Sequence, residues 1–130
     1  MTMGYSTTLR NAQMDAITTT VGNAGKLRIY DGTRPATGGT VTNLLAEFTP
    51  LGTPFAPASV SGVLSPTLPA ATTGVAAGTA TWGRLVTSAG TFVADYSAGT
   101  SGTDIVMNTT TISIGVAVSV TSWTQTCGNP

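Results

Sequence analysis

The chain has 130 residues, five of them basic and five acidic, so its net charge is near zero and only 8% of its residues are charged. An ordinary soluble domain carries about 25% charged residues. The length favours one domain with one core, and the scattered Lys and Arg residues argue against a nucleic-acid-binding surface, which needs clustered positive charge. The chain has no histidine, which removes the usual general base near neutral pH and the commonest metal ligand.

Threonine supplies most of the polarity, at 27 positions, together with 16 glycines, and this mixture favours strands and turns over helices. No apolar run approaches the roughly 20 residues of a membrane-spanning helix. The first ten residues, MTMGYSTTLR, lack the apolar core of a signal peptide. We therefore expect a soluble protein that is not exported by the general secretory route. Cys127 is the single cysteine, so an internal disulfide is impossible.

The first predicted element is a helix over residues 6–20, STTLRNAQMDAITTT, which Ser6 or Thr7 can cap and which has one modest apolar stripe. Alternating apolar residues and turn signals then predict further strands. They cover residues 26–30, 41–49, 79–87, 91–97 and 104–108, with one short strand near 59–65 inside the proline-rich stretch 50–78.

The clearest strand pattern is TISIGVAVSVTSWT at residues 111–124, in which every second residue from Ile112 to Val120 is β-branched. A period of two predicts a strand with one buried face. That face comprises Ile112, Ile114, Val116, Val118 and Val120. Gly115 either sits within the strand or marks a bulge or tight turn that divides it in two.

These elements predict a mainly β fold, an antiparallel β-sandwich or jelly roll with one short N-terminal helix or arm. The predicted division is an arm or helix at 1–25 and a β-sandwich domain at 26–130.

Catalytic chemistry is not indicated, because no His, clustered acid or activated nucleophile is present, and we expect no enzyme, cofactor or metal site. Asp95 and Asp104 could meet as acid and base, or they are two solvated aspartates at strand ends. Trp82, Tyr96 and Trp123 could stack on sugars, or they anchor a core or an interface. Arg84 lies two residues from Trp82, hence on the same strand face, and could stack on the indole.

Three stretches resemble small virion proteins encoded in the structural gene clusters of tailed phages and prophages. They are LRNAQMDAITTTVGNAGKLRIYDGTRPATGG at 9–39, GTATWGRL at 78–85 and NTTTISIGVAVSVTSWT at 108–124. The resemblance implies a phage structural origin more firmly than a position in the particle.

A small, nearly neutral, Thr-rich β domain is also a reasonable building block for a shell. We therefore expect a capsid decoration, or cement, protein that is made in the host cytoplasm, lies on the outside of the virion capsid and bridges subunits of the major capsid protein. It would be a homo-oligomer, with a trimer favoured, without nucleic-acid or membrane partners. The segment 1–25 and the loop 31–40 are expected at the interface, or they pack within the domain. The candidate interface residues are Leu9, Met14, Ile17, Tyr30, Arg34, Trp82 and Arg84.

Two alternatives remain open at this point. One is a component of the tail or of the head–tail connector, present in few copies. The other is a carbohydrate-binding host-attachment module that uses exposed Trp82, Tyr96 or Trp123.

Overall fold

The computed structural model describes residues 4–127. Residues 1–3 and 128–130, the ends of the two predicted segments, lie outside this range. The fold is mostly β, with 39% of residues in strands and one short helix, and its main sheet curls into a half-barrel. The mainly β prediction is therefore confirmed.

The helix, α1, runs from Thr7 to Val21, close to the predicted 6–20. The Ser6 hydroxyl accepts a hydrogen bond from the Leu9 amide at 3.2 Å, which satisfies one of the free amides of the first turn. At the other end the Gly22 amide donates to the Thr18 carbonyl. Met14 and Ile17 pack against the hydrophobic core.

Polar side chains of α1 attach it to the rest of the molecule. The Asp15 carboxylate accepts a hydrogen bond from the Ser59 amide, and the Asn11 side chain accepts one from the Gly62 amide, each at 2.8 Å. The Arg10 guanidinium donates to the carbonyls of Ser61 and Cys127. These contacts fix the helix on the segment 59–62, so it is part of the folded domain.

Strands follow the helix through the rest of the chain. They are β1 Lys26–Asp31, β2 Leu44–Phe48, β3 Val63–Leu64, β4 Thr72–Thr73, β5 Gly78–Val86, β6 Phe92–Gly99, β7 Ile105–Met107, β8 Thr111–Ile112, β9 Ala117–Val118, β10 Val120–Trp123 and β11 Gln125–Thr126. The main sheet has the order β10-β7-β6-β5-β1-β2, with β8 paired to β5. Two small sheets, β11-β3 and β4-β9, lie outside this path.

The main sheet departs from the predicted antiparallel arrangement at β7, which runs parallel to the end of β6. Parallel neighbours usually need a crossover of a dozen or more residues. Here Asp104 allows a much shorter return, because its carboxylate accepts hydrogen bonds from the amide and the hydroxyl of Ser97, and its own amide donates to that hydroxyl.

One face of the main sheet contributes to the core. In the register of β1 and β5, Leu27 pairs with Leu85 on this face, and both are fully buried. Trp123 lies further along the core, with the rings of Phe55 and Tyr96 packed edge-on against it at centroid distances of 5.2 and 5.6 Å. The Tyr96 hydroxyl donates a 2.7 Å hydrogen bond to the Gln125 side chain, so this phenol has a buried partner.

The predicted strand 111–124 is divided into β8, β9 and β10. Gly115 has a φ of +82°, a left-handed conformation that glycine adopts readily, and it turns the chain between β8 and β9. The turn removes Ile114 and Val116 from the buried face, and both are exposed. The prediction was right for Ile112, Val118 and Val120 and wrong for these two residues.

Candidate functional site

The second face of the main sheet carries a buried ion pair. Arg84 on β5 lies directly opposite Asp95 on β6, and the pair is bidentate, with Nε–Oδ1 at 2.7 Å and Nη2–Oδ2 at 3.1 Å. Only 5% of the Asp95 side chain is exposed. The Arg84 guanidinium also lies 5.2 Å from the ring centroid of Trp82 and 5.0 Å from that of Phe92, within the range of cation–π attraction. Arg84 is therefore held by its carboxylate and by two rings.

Trp82 and Tyr30 stack beside this ion pair, with their ring centroids 4.6 Å apart. The indole Nε1 donates to the Asp31 carbonyl and to the Thr42 hydroxyl, both at 3.1 Å. The Thr42 hydroxyl in turn donates to the Asp31 carbonyl. Trp82 thereby joins both ends of the loop 32–43, the connection between β1 and β2.

The same loop is closed at its base by Asp31. Its carboxylate accepts hydrogen bonds from the amide and the side-chain nitrogen of Asn43. Both hydrogen bonds stabilise the charged form and so lower the pKa of Asp31. The bond from the Asn43 amide has the larger effect, and the bond from the Asn43 side chain has the next largest. Further along, the Gly38 amide donates to Asp95 Oδ2 at 3.1 Å, so the ion pair also fixes the middle of the loop.

The loop and β6 enclose a cleft of about 590 Å³, lined by residues 34–37 and 92–95. Its lining combines a cation, Arg34, with the half-exposed ring of Phe92 and with Asp95. Arg34 makes no hydrogen bond or ion pair with any residue in the range 4–127. Lys26 is the other basic residue of that range without such a partner, whereas Arg10, Arg28 and Arg84 all have one.

The seven candidate interface residues are distributed over the molecule. Tyr30, Trp82 and Arg84 come together on the second face of the sheet, but they are buried against the chain's own loop and strands. Met14 and Ile17 are partly buried against the core, and only Leu9 and Arg34 are exposed. An interface role for the seven residues stays a prediction.

The aromatic residues considered for sugar binding do not form an exposed platform. Trp82, Tyr96 and Trp123 are each at most 7% exposed. Burial is the main cause that raises the pKa of Tyr96, and the nearby carboxylates of Asp104 and Asp95 add to it. All three rings pack within the fold, and the polar atoms of Trp82 and Tyr96 also form hydrogen bonds there.

The carboxylates considered as an acid–base pair each have their own partners. Asp95 binds Arg84 and the Gly38 amide, and Asp104 binds Ser97. Across residues 4–127, no three His, Cys, Asp or Glu side chains come together in a way that could hold a metal ion. No helix in that range is long and apolar enough to cross a membrane.

A second candidate surface was missed by the strand periodicity. It is the tip formed by residues 74–75 and 113–117, where Val75, Ile114 and Val116 are 55%, 76% and 41% exposed. The tip is firmly built: the Gly74 amide donates to the Val116 carbonyl at 2.9 Å, and the Gly115 amide to the Gly74 carbonyl at 3.0 Å. A Cβ at Gly74 would collide with the Ser113 carbonyl oxygen, so only glycine allows this close approach.

Charge is absent from the segments that build this tip. All the Asp, Glu, Lys and Arg residues lie within 10–47 and 84–104, and the segments 48–83 and 105–130 contain none. The described parts of these segments supply β3, β4, β7 to β11 and the first six of the nine residues of β5. The distribution of charge along the sequence was the signal that could have located this surface.

Comparison of the chain with protein families, with curated proteins and with solved structures gave no match.

Proposed function

We propose that the chain is a structural virion protein, a capsid decoration or cement protein that binds the outer surface of the major capsid lattice and bridges its subunits. The observation that carries this proposal is the rigid apolar tip of residues 74–75 and 113–117 in an uncharged part of the molecule. Exposed apolar side chains grouped at one place are typical of protein–protein contact sites.

The chemistry of the tip suits a permanent contact repeated over a lattice. Burying Val75, Ile114 and Val116 removes apolar surface from water, and none of these side chains carries a charge that would have to be desolvated. A tip held by backbone hydrogen bonds loses little freedom when it binds, which lowers the entropic cost of association. Modest individual contacts would therefore add up over many copies.

The finer architecture belongs to the same proposal. A β-sandwich or jelly roll is supported by the two small sheets, β11-β3 and β4-β9, that accompany the main sheet. A symmetric homo-oligomer, with a trimer favoured, is consistent with an uncharged surface, because copies that meet there bring no like charges together.

The test uses particles that lack this protein, to which purified chain is added back. Ile114→Lys places a charge at the most exposed apolar position of the tip and should leave the fold unchanged. Thr100→Lys is the matched control, because it adds the same charge at an exposed position of the connection between β6 and β7, outside the tip and the segments 1–25 and 31–40. We expect Ile114→Lys to weaken particle binding at least about tenfold and Thr100→Lys to have little effect. Equal binding by both variants and the natural chain would contradict the proposal.

A further inference from the structure

The cleft between the loop 32–43 and β6 has the composition of a ligand site that is separate from the tip. Arg34 supplies an exposed cation without a partner among residues 4–127. The ring of Phe92 supplies apolar surface on the strand side, and Pro35 and Ala36 line the loop side. A cation beside an apolar surface suits a ligand that carries a negative charge next to an apolar group.

The cleft is held in shape before any ligand arrives. Asp95 is fixed by the bidentate bond to Arg84 and binds the Gly38 amide, while the Arg84 guanidinium packs on the ring of Phe92. The Gly39 amide donates to the Ala36 carbonyl at 2.7 Å, which adds a turn inside the loop. A preformed site of this kind loses less conformational entropy on binding than a flexible loop would.

The charges favour a carboxylate over a phosphate. Arg34 is the single unpaired cation of the lining, and a guanidinium can hold a carboxylate with two parallel hydrogen bonds. Because Arg84 already compensates the charge of Asp95 in the same lining, Arg34 contributes one positive charge, which matches a carboxylate and leaves a doubly charged phosphate partly uncompensated.

The carboxylate is better supplied by a side chain than by a chain terminus. Capture of a terminal carboxylate commonly uses a nest of free backbone amides. In this loop the Gly38 amide already binds Asp95 and the Gly39 amide already binds Ala36. Recognition therefore falls to Arg34, which suits an Asp or Glu side chain.

A different polypeptide is a better source of the acid than a second copy of this chain, whose carboxylates already have partners. The five acidic residues of this chain all accept hydrogen bonds within the chain: Asp15 from Ser59, Asp31 from Asn43, Glu47 from Arg28, Asp95 from Arg84 and Asp104 from Ser97. We infer that the cleft binds an acidic side chain flanked by an apolar residue on a different polypeptide, with Arg34 holding the carboxylate and Phe92 contacting the apolar group. This inference does not depend on the proposed function, because it concerns the isolated chain.

The experiment is a titration of the full chain, followed by amide chemical shifts, with acetyl-Phe-Glu-amide and its neutral counterpart acetyl-Phe-Gln-amide. We expect the acidic peptide to move the amide signals of residues 34–38 and 92–95 with a dissociation constant of about 1 mM, and the neutral peptide to bind about tenfold more weakly. Arg34→Gln should abolish that difference. Lys26→Gln, which removes the other basic side chain without a partner among residues 4–127, should preserve it.

Two further probes test the assignment. N-acetylphenylalanine carries a terminal carboxylate beside the same ring, and inorganic phosphate carries charge without an apolar group. Equal binding of the Glu and Gln peptides, unchanged binding by Arg34→Gln, or no shift at about 10 mM would overturn the inference. Tighter binding of N-acetylphenylalanine or of phosphate would overturn the assignment to an acidic side chain. None of these outcomes bears on binding through the tip, so a failure here is distinguishable from a failure of the proposed function.

Discussion

At the scale of single residues, two ion pairs on the same sheet face have different surroundings. Arg84–Asp95 is nearly buried, with side-chain exposures of 10% and 5%, whereas Arg28–Glu47 is partly open, at 29% and 27%. The Glu47 hydrogen bond is the main cause that raises the pKa of Arg28. Water screens the second pair more effectively, so the two pairs should differ greatly in their effect on stability.

Asp95→Asn should lower the free energy of unfolding by about 3–5 kcal/mol, because it leaves the Arg84 charge buried without a counter-charge. Glu47→Gln is the matched control and should cost less than about 1 kcal/mol. Denaturant unfolding monitored by tryptophan fluorescence measures both. Equal losses for the two variants would show that the Arg84–Asp95 pair does not act as a buried pair.

Tyr96 should make the protein sensitive to alkali. Its pKa is raised in the folded state, mainly by burial, so above about pH 10 the unfolded chain loses a proton that the folded chain keeps. The contribution of Tyr96 to the free energy of unfolding is therefore fully present below about pH 10. Above that pH the free energy of unfolding falls, by up to about 1.4 kcal/mol per pH unit from this group.

Tyr96→Phe tests this dependence. The variant leaves the Gln125 carbonyl oxygen without its donor, so it should be about 1 kcal/mol less stable at pH 7. Its stability should nevertheless fall less steeply than that of the natural chain above pH 10. The free energy of unfolding of both proteins is measured by urea denaturation at a series of pH values. If it fell equally with pH in the variant and in the natural chain, this role of Tyr96 would be contradicted.

At the scale of elements, α1 depends on side chains that satisfy backbone amides. Asp15→Ala removes the acceptor of the Ser59 amide, and Ser59 is buried, so we expect a loss of about 1–3 kcal/mol. Ser6→Ala removes the N-cap and should cost about 1 kcal/mol.

Amide hydrogen exchange separates the two effects. Asp15→Ala should accelerate exchange at Ser59 more than elsewhere, whereas Ser6→Ala should act on the first turn of α1. Unchanged exchange at Ser59 in Asp15→Ala would contradict the attachment of the helix through this carboxylate.

The sequence predicts elements best where one pattern determines the structure. The polar cap at Ser6 and the alternation around Leu27 locate α1 and β1 within one residue of their ends. The failures at Ile114 and Val116 have one physical cause. Gly115 allows either a straight strand or a turn. The contact of Gly74 with the segment 113–116 decides in favour of the turn. This contact joins residues far apart in sequence, so a local pattern does not predict it.

The candidate site was predictable in part. The spacing of Trp82 and Arg84 predicts that they share a strand face and interact. The Arg84 guanidinium carbon does lie 5.2 Å from the ring centroid of Trp82. Their burial depends on the loop 32–43, which closes through Asp31, Thr42 and Asp95. Such closure involves partners far apart in sequence, so periodicity alone carries no sign of it.

At the scale of the whole molecule, charge and most of the exposed apolar side chains are separated along the chain. Five of the eight large apolar side chains that are exposed in residues 4–127 lie in the uncharged segments 48–83 and 105–130. The charged residues lie within 10–47 and 84–104, where they form the ion pairs, the loop closure and the attachment of α1. The exposed tip belongs to the uncharged segments. This separation suits a protein with a stable domain and a permanent apolar contact, as the decoration proposal requires.

The most direct test of that proposal is the number of copies of this chain relative to the major capsid protein in purified particles, measured by quantitative mass spectrometry. A decoration protein repeated over the lattice should give a ratio near one or a simple fraction of it. A few copies per particle would place the chain in the tail or the connector, and absence from particles would contradict a virion role altogether.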